Sequence, residues 1–214
     1  MDLTHSTAAR RYGSAQRMSD SELVTRCRSG DREAFAALAA RHRAKVYAVC
    51  LRVTGNPEDA ADAVQETLTR TWRGLVGFHG TARFSTWLYR ITVNAALAEV
   101  ERRAARPRPA GLDMPDETYD VPAVAERVVT TLSVQAALDR VPPEFRAAIV
   151  LRECLQCSYA EVGDILGIPL NTVKSRISRA RQALLVLLGP APDEGEGESA
   201  GTGARERQEA GRGR

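Results

Sequence analysis

Lys174, Ser175, Ser178 and Arg179, with Asn171 and Thr172 just before them, have the chemistry needed to read a nucleic-acid duplex. Hydroxyl, amide and guanidinium groups hydrogen-bond to base edges in a major groove, and flanking cations neutralise the phosphates on either side. At about 100° per residue, Val173, Ile177, Ala180, Leu184 and Leu187 fall on one side of a helix. Asn171, Ser175, Ser178 and Arg179 fall opposite. Lys174 and Arg181 border the apolar stripe on one flank, and Arg176 on the other. One face is thus fixed to the protein while the other is left for a ligand.

The residues before this helix specify how it is presented. Ser158 followed three residues later by Glu161 has the spacing of a reciprocal capping box. Gly167 then ends the first helix, because glycine adopts the left-handed conformation without steric cost, and Pro169 cannot continue the hydrogen-bond ladder. Asn171 or Thr172 is expected to cap the next helix. The sequence therefore spells helix, turn, helix, a scaffold that places its second helix in a major groove.

Two further constellations lie upstream. After the start signal Asn56-Pro57, Ala61, Val64, Leu68, Trp72 and Leu75 are expected to form a buried stripe. The opposite face carries Asp59, Asp62, Gln65 and Glu66, then Arg70 and Arg73. Acids early and bases late suit the helix dipole, and charge grouped this tightly also suits docking to a basic partner. The loop GLVGFHGTARF at 74–84 brings Phe78, His79, Gly80 and Arg83 beside a helix that Ser85 is expected to cap and that carries Arg90 and Asn94. Aromatic faces near arginines can stack single-stranded bases and neutralise their backbone. Phe84 and Trp87 themselves are expected to be core residues, because large aromatics dominate small cores.

The remaining punctuation is helical. Ser19 and Glu22 form another capping box, Gly30 ends that helix and Asp31 caps the next, where Phe35, Leu38, His42, Val46, Val49 and Val53 share a face as far as Gly55. His42 is expected to pack rather than bind a metal. Prolines 107, 109, 115 and 122 mark a linker. Helices resume near Thr131, with Val134, Leu138 and Val141 in one and Phe145, Ile149 and Val150 in another. No strand alternation, phosphate loop or nucleophile elbow occurs. The expected fold is all-α: two small helical domains joined by a flexible linker, the second with the helix-turn-helix. The expected segments are a disordered N-terminal tail at 1–18, domains at 19–103 and 131–188, a linker at 104–130 and a disordered C-terminal tail at 189–214.

Composition narrows the function classes. With 30 basic and 27 acidic residues among 214, the net charge of +3 does not by itself announce a nucleic acid. Local clusters do, at Lys174–Arg181 and around Arg102, Arg103, Arg106 and Arg108. No apolar run of about 18 residues and no signal-peptide pattern occur, so membrane insertion is not expected and the protein is expected to be cytoplasmic. Cys154 and Cys157 form a lone CxxC whose spacing fits a redox pair or half a metal site; without a second pair they read as structural thiols, and no metal or other cofactor is expected.

Together, DAADAVQETLTRTWR at 59–73, FSTWLYRITVN at 84–94 and SYAEVGDILGIPLNTVKSRISRAR at 158–181 resemble the extracytoplasmic-function (ECF) subgroup of the sigma-70 family, the two-domain initiation factors of bacterial RNA polymerase. The resemblance implies that Asp59, Asp62, Gln65 and Glu66 dock on core RNA polymerase. It implies that the segment from Phe78 to Asn94, including His79, Gly80, Arg83 and Arg90, opens the minus-ten element. There Phe78 and Gly80 would line a pocket for a base of the non-template strand, and Asn94 would read that base. It also implies that Asn171, Thr172, Lys174, Ser175, Ser178 and Arg179 face the minus-thirty-five promoter DNA, and that an anti-sigma factor is a partner. On the residues alone, a helix-turn-helix regulator that binds duplex DNA without polymerase, or an enzyme with a DNA-binding appendage, remains a rival reading. For the enzyme, no paired catalytic groups are found.

Overall fold

The computed structural model describes residues 17–80, 82–106 and 133–189; the tails and linker expected from the sequence otherwise lie outside the described residues. Among the described residues the regular structure is helical throughout, with no strand.

The first half starts with α1 (Asp20–Arg28). The Ser19 hydroxyl accepts the Glu22 N–H at 3.3 Å while the Glu22 carboxylate accepts the Ser19 N–H at 2.7 Å, the expected box. Asp31 caps α2 (Arg32–Thr54) by accepting the N–H groups of Glu33 and Ala34, and Gly55 closes α2 at φ +72°. Asn56 caps α3 (Pro57–Gly74) with Pro57 in its first turn. A 3-10 turn, Leu75–Gly77, and a short loop lead to α4 (Phe84–Ala105).

α2, α3 and α4 pack on Leu38, Val46, Val49, Val53, Leu88 and Val93, all buried. α3 sits one position away from the expected register: Ala60, Ala63, Thr67 and Thr71 are buried, Val64, Leu68 and Trp72 are half-buried, and Ala61 is exposed. Small residues let α3 approach its neighbours closely, and Thr67 satisfies its buried hydroxyl by donating to the Ala63 carbonyl at 2.7 Å. The bulkier residues are pushed to the edge of the seam, where Trp72 meets Phe35 with ring centroids 5.0 Å apart. A second correction concerns α4. It begins at Phe84 with Arg83 at the cap position, not at Ser85, because Phe84 is buried against His42 and Trp87 and fixes the first turn by packing.

The second half comprises residues 133–139 (α5), α6 (Pro143–Cys154), α7 (Tyr159–Leu166) and α8 (Leu170–Leu188). Ser158 and Glu161 form the capping box of α7, and Gly167 ends it at φ +66°. A Cβ on Gly163 would lie 3.1 Å from the Ile168 carbonyl oxygen, so the turn folds back tightly on α7. Neither Asn171 nor Thr172 caps α8, contrary to expectation. The helix starts at Leu170 with Pro169 at the cap position, since the fixed φ of proline and the Gly167 turn already aim the chain into the helix. Val173, Ile177 and Ala180 are buried as expected.

The two halves are in contact. One apolar cluster runs through both, α6 packs on α2, and α7 packs on α4.

Ser158→Ala is expected to lower stability by about 1 kcal/mol, measured by urea unfolding near neutral pH. The Ser158 N–H and hydroxyl hold the Glu161 carboxyl below its usual range. Stability from such a carboxylate is present above its unfolded pKa and is lost as pH falls through its lower folded value. The gap between wild type and variant should therefore narrow in acid over that window.

Candidate nucleic-acid interface

α8 turns a continuous polar face outward. Asn171, Lys174, Ser175, Ser178 and Arg179 are exposed, and Thr172 is half-buried in the first turn. The Ser175 hydroxyl donates to the Thr172 carbonyl at 3.0 Å. Arg179 lies over the Phe145 ring of α6 at 5.8 Å, which orients its guanidinium without using its donors. Arg181 is paired with Glu153 at 2.7 Å and belongs to the scaffold.

At the start of α4 the aromatic side chains form one cluster, packed tilted and edge-to-face. Phe78 lies 5.0 Å from Trp87 and 6.1 Å from Phe84 between centroids, and Phe84 lies 5.4 Å from His42. These rings form both core and wall. Beside them opens a hollow of about 510 Å³, within the size range of small-molecule pockets. Phe78, His79, Gly80 and Arg83 line one side, and Ser21, Thr25 and Arg28 of α1 line another. The α1 residues are not among those expected from the sequence, although their spacing of four and three residues puts them on one helical face. Gly80 has φ +73°, a conformation that favours glycine at this bend. Arg83 lies 3.9 Å from the Glu161 carboxylate, and Arg90 donates to the Asp164 carbonyl. Asn94 is exposed but does not line the hollow. It lies nine residues past Ser85 along α4, about 14 Å at ~1.5 Å per residue.

The acidic face of α3 divides into two roles. Asp62 and Gln65 are exposed, and Glu66 is half-buried and paired with Arg70 at 2.6 Å. Asp59, expected on the outer face, is instead only 8% exposed and pairs with Arg103 of α4 at 3.2 Å. It lies in the first turn, where α3 meets the far end of α4. Glu99 is fully buried and pairs with Arg102 at 2.5 Å, so part of the basic cluster at 102–106 is neutralised from within.

His42 packs, as expected, with its Nε2 2.9 Å from the Asp20 carboxylate. Burial would raise the Asp20 carboxyl, but hydrogen bonds from Arg41 and His42 outweigh it and hold the group below its usual range. Burial pushes the Cys157 thiol up to about 11 and raises Cys154 as well. Both remain protonated thiols near neutral pH, which makes them weak nucleophiles and weak ligands. Among the described residues no helix is long and apolar enough to cross a membrane.

The sequence matches the family model of sigma-70 region 2 over residues 38–106 and that of sigma-70 region 4 over residues 131–184. It is 38% identical over 178 residues to the ECF RNA polymerase sigma factor SigM of Mycobacterium tuberculosis, spanning 83% of this chain and 89% of that protein. It is 32% identical over 172 residues to the ECF RNA polymerase sigma factor SigW of Bacillus subtilis, spanning 75% of this chain and 92% of the relative. Among solved structures, it is similar to CnrH in complex with the cytosolic domain of CnrY, with a TM-score of 0.61 and 26% identity over 79% of this chain and 96% of the other.

Asp59→Ala is expected to cost about 1 kcal/mol in urea unfolding, through the lost ion pair and the lost charge at a helix N-terminus. Asp62→Ala should stay within about 0.5 kcal/mol of wild type.

Proposed function

The chain belongs to the extracytoplasmic-function subgroup of the sigma-70 family, and from this membership we propose the division of labour that follows. The protein is an alternative initiation factor that binds core RNA polymerase and directs it to promoters with two spaced elements. Its work is binding; the polymerase carries out the chemistry, in the cytoplasm where the chromosome lies.

One observation carries this reading: a single chain presents both a duplex-reading helix and an aromatic-walled hollow flanked by arginines. A regulator that binds only duplex DNA needs the first and has no use for the second. α8 enters the major groove of the minus-thirty-five element, with Ser175, Ser178 and Arg179 toward base edges and Asn171, Thr172 and Lys174 toward the entry turn and the phosphates. The hollow takes a base extruded from the minus-ten element. Phe78 supplies a stacking face, Gly80 lets the strand approach closely, and His79 and Arg83 border the opening. Stacking and hydrogen bonds there must offset an extrusion cost of a few kcal/mol. Arg90 and Asn94 meet the strand further along α4.

Asp62, Gln65 and Glu66 form the polymerase-facing patch, with Asp59 acting from behind by holding α3 to α4. An anti-sigma factor is a further partner, as with the solved sigma factor RpoE in complex with the anti-sigma factor NepR from Bartonella quintana, which shares this fold at 23% identity and a TM-score of 0.56.

Core polymerase with this protein should initiate at a defined promoter where core alone does not; a lack of any gain in specific starts would sink the proposal. Asp62→Arg should weaken core binding in a pull-down while leaving the helical circular dichroism unchanged. Arg179→Ala should weaken use of the cognate upstream element by about 1–3 kcal/mol if it makes a bidentate base contact, whereas an equal loss on scrambled upstream sequence would make it a phosphate contact.

A further inference from the structure

We propose that Glu99 and Asp59 are positioning residues that keep the factor off DNA of arbitrary sequence: from inside the helix packing they hold the arginines at the end of α4, which then add little sequence-independent affinity. The bearing of this restraint on transcription rests on the function proposed above.

The basic run at the end of α4 is paired off. Arg102 Nη2 lies 2.5 Å from Glu99 Oε2, Arg106 Nη2 lies 3.9 Å from Glu99 Oε1, and Arg103 Nη1 lies 3.2 Å from Asp59 Oδ2. Glu99 and Asp59 are buried, whereas each arginine keeps more than half of its side-chain surface in solvent. The acids are thus fixed in place, and the cations fold back to them from the surface. With the exposed Glu101, three acids stand against Arg102, Arg103 and Arg106, so this end of the helix carries no net formal charge.

Packing alone does not account for Glu99. Both of its carboxylate oxygens are buried without a hydrogen-bond partner among the described residues, and Arg102 and Arg106 are its ion-pair partners. A carboxylate taken from water is costly unless it is paired and hydrogen-bonded, and apolar side chains of similar volume in place of a buried pair are often as stable or more so. Val93, Ala95 and Ala96, also buried on α4, show the apolar solution on the same helix. What the acid at 99 adds is its hold on two guanidinium groups.

The place of these arginines gives that hold a consequence. Arg102 lies eight residues past Asn94, about 12 Å along the axis at ~1.5 Å per residue, so DNA held along α4 by Arg90 and Asn94 comes beside this end. Phosphate contacts carry no sequence information, and unrestrained arginines here would grip any DNA. A phosphate arriving at Arg102, Arg103 or Arg106 must compete with a carboxylate that is already beside the guanidinium. Since arbitrary sequence vastly outnumbers promoters, weakening this shared grip leaves more of the factor free to meet polymerase.

The test measures binding of the full-length free protein to a fluorescent duplex of scrambled sequence, between about 50 and 200 mM salt. Glu99→Gln should bind more tightly than wild type at the low end. Its log affinity should fall with log salt more steeply by about 1–2, close to one for each arginine released, an extra loss of roughly three- to twelvefold across that range. Glu101→Gln removes the same formal charge from an exposed side chain and should leave the slope near that of wild type. An unchanged slope in a folded Glu99→Gln, or an equal change in Glu101→Gln, overturns the proposal. If Glu99→Gln loses helical circular dichroism, Asp59→Asn takes its place. It releases Arg103 alone and should steepen the slope by about one, and no change there is equally fatal. With core polymerase and promoter DNA, added scrambled competitor should depress the specific starts of Glu99→Gln more than those of wild type, and equal depression counts against the restraint. Wild type that gives no specific starts at all would remove the proposed function, while the salt slopes would still decide the pairing.

Discussion

A guanidinium removed from water must find an acceptor for every donor, and Arg146 meets that demand with groups that fix the second half and its place on the first. Nε and Nη2 donate to the Val141 carbonyl at 3.3 and 3.1 Å, Nη2 also to the Asp139 carbonyl at 2.7 Å, and Nη1 to Val53 and Asp139. Burial lowers its pKa, yet the group stays charged because guanidinium does not give up its proton in proteins. Desolvation costs several kcal/mol, recovered only with good geometry. The carbonyls at the end of α5 and at the C-terminus of α2 are helix ends with partial negative charge, which suits a cation. The turn between α5 and α6 and the docking of α6 on α2 are therefore set by one side chain. This also explains why Ala147 through Leu151 are all buried: α6 lies between α2 and α8 and has little free face.

The first half solves a related problem with opposite signs. Asp59 and Glu99 are buried acids, and their partners Arg103 and Arg102 keep more than half of their side-chain surface in solvent. Each pair gives a buried carboxylate a cationic partner while leaving its arginine near the surface. The price is cationic reach, because these arginines are partly neutralised before any nucleic acid arrives. The exposed positive charge of the interface is correspondingly concentrated on α8.

What the sequence disclosed follows from how local each signal is. Capping boxes at Ser19 and Ser158, the Asp31 and Asn56 caps and the glycine at 167 are interactions within a few residues, and each forms as its spacing predicts. The starts of α4 and α8 differ from those expected because tertiary packing of Phe84 and the rigid Pro169 outweigh a nearby serine or asparagine. Asp59 was misassigned because a helical wheel separates faces but does not reveal that Arg103, 44 residues later, lies beside one of them. The contribution of α1 to the hollow was missed for the same reason: nothing local ties Ser21, Thr25 and Arg28 to a loop more than fifty residues away. On α8 the face was legible because an apolar stripe of this regularity leaves only one side for the ligand.

The two proposed DNA-facing sites differ in rigidity, and the difference fits the tasks proposed for them. On α8, Ser175 is tied to its own helix and Arg179 lies on Phe145, so the reading face is ordered before it meets a duplex. Preorganised side chains on a helix lose little entropy on binding and suit the reading of an intact groove. At the hollow the aromatic wall is fixed by the core, yet the rim is a loop bent at Gly80 with His79 exposed. A base leaving its stack needs a firm surface to stack on and a rim able to adjust around the backbone. The fold supplies the first from Phe78, held in place by Phe84 and Trp87, and the second from backbone that no helix constrains. In the proposed division of labour, reading duplex sequence and capturing melted DNA are thus separated into a helix and a loop, each placed where its stiffness serves the step.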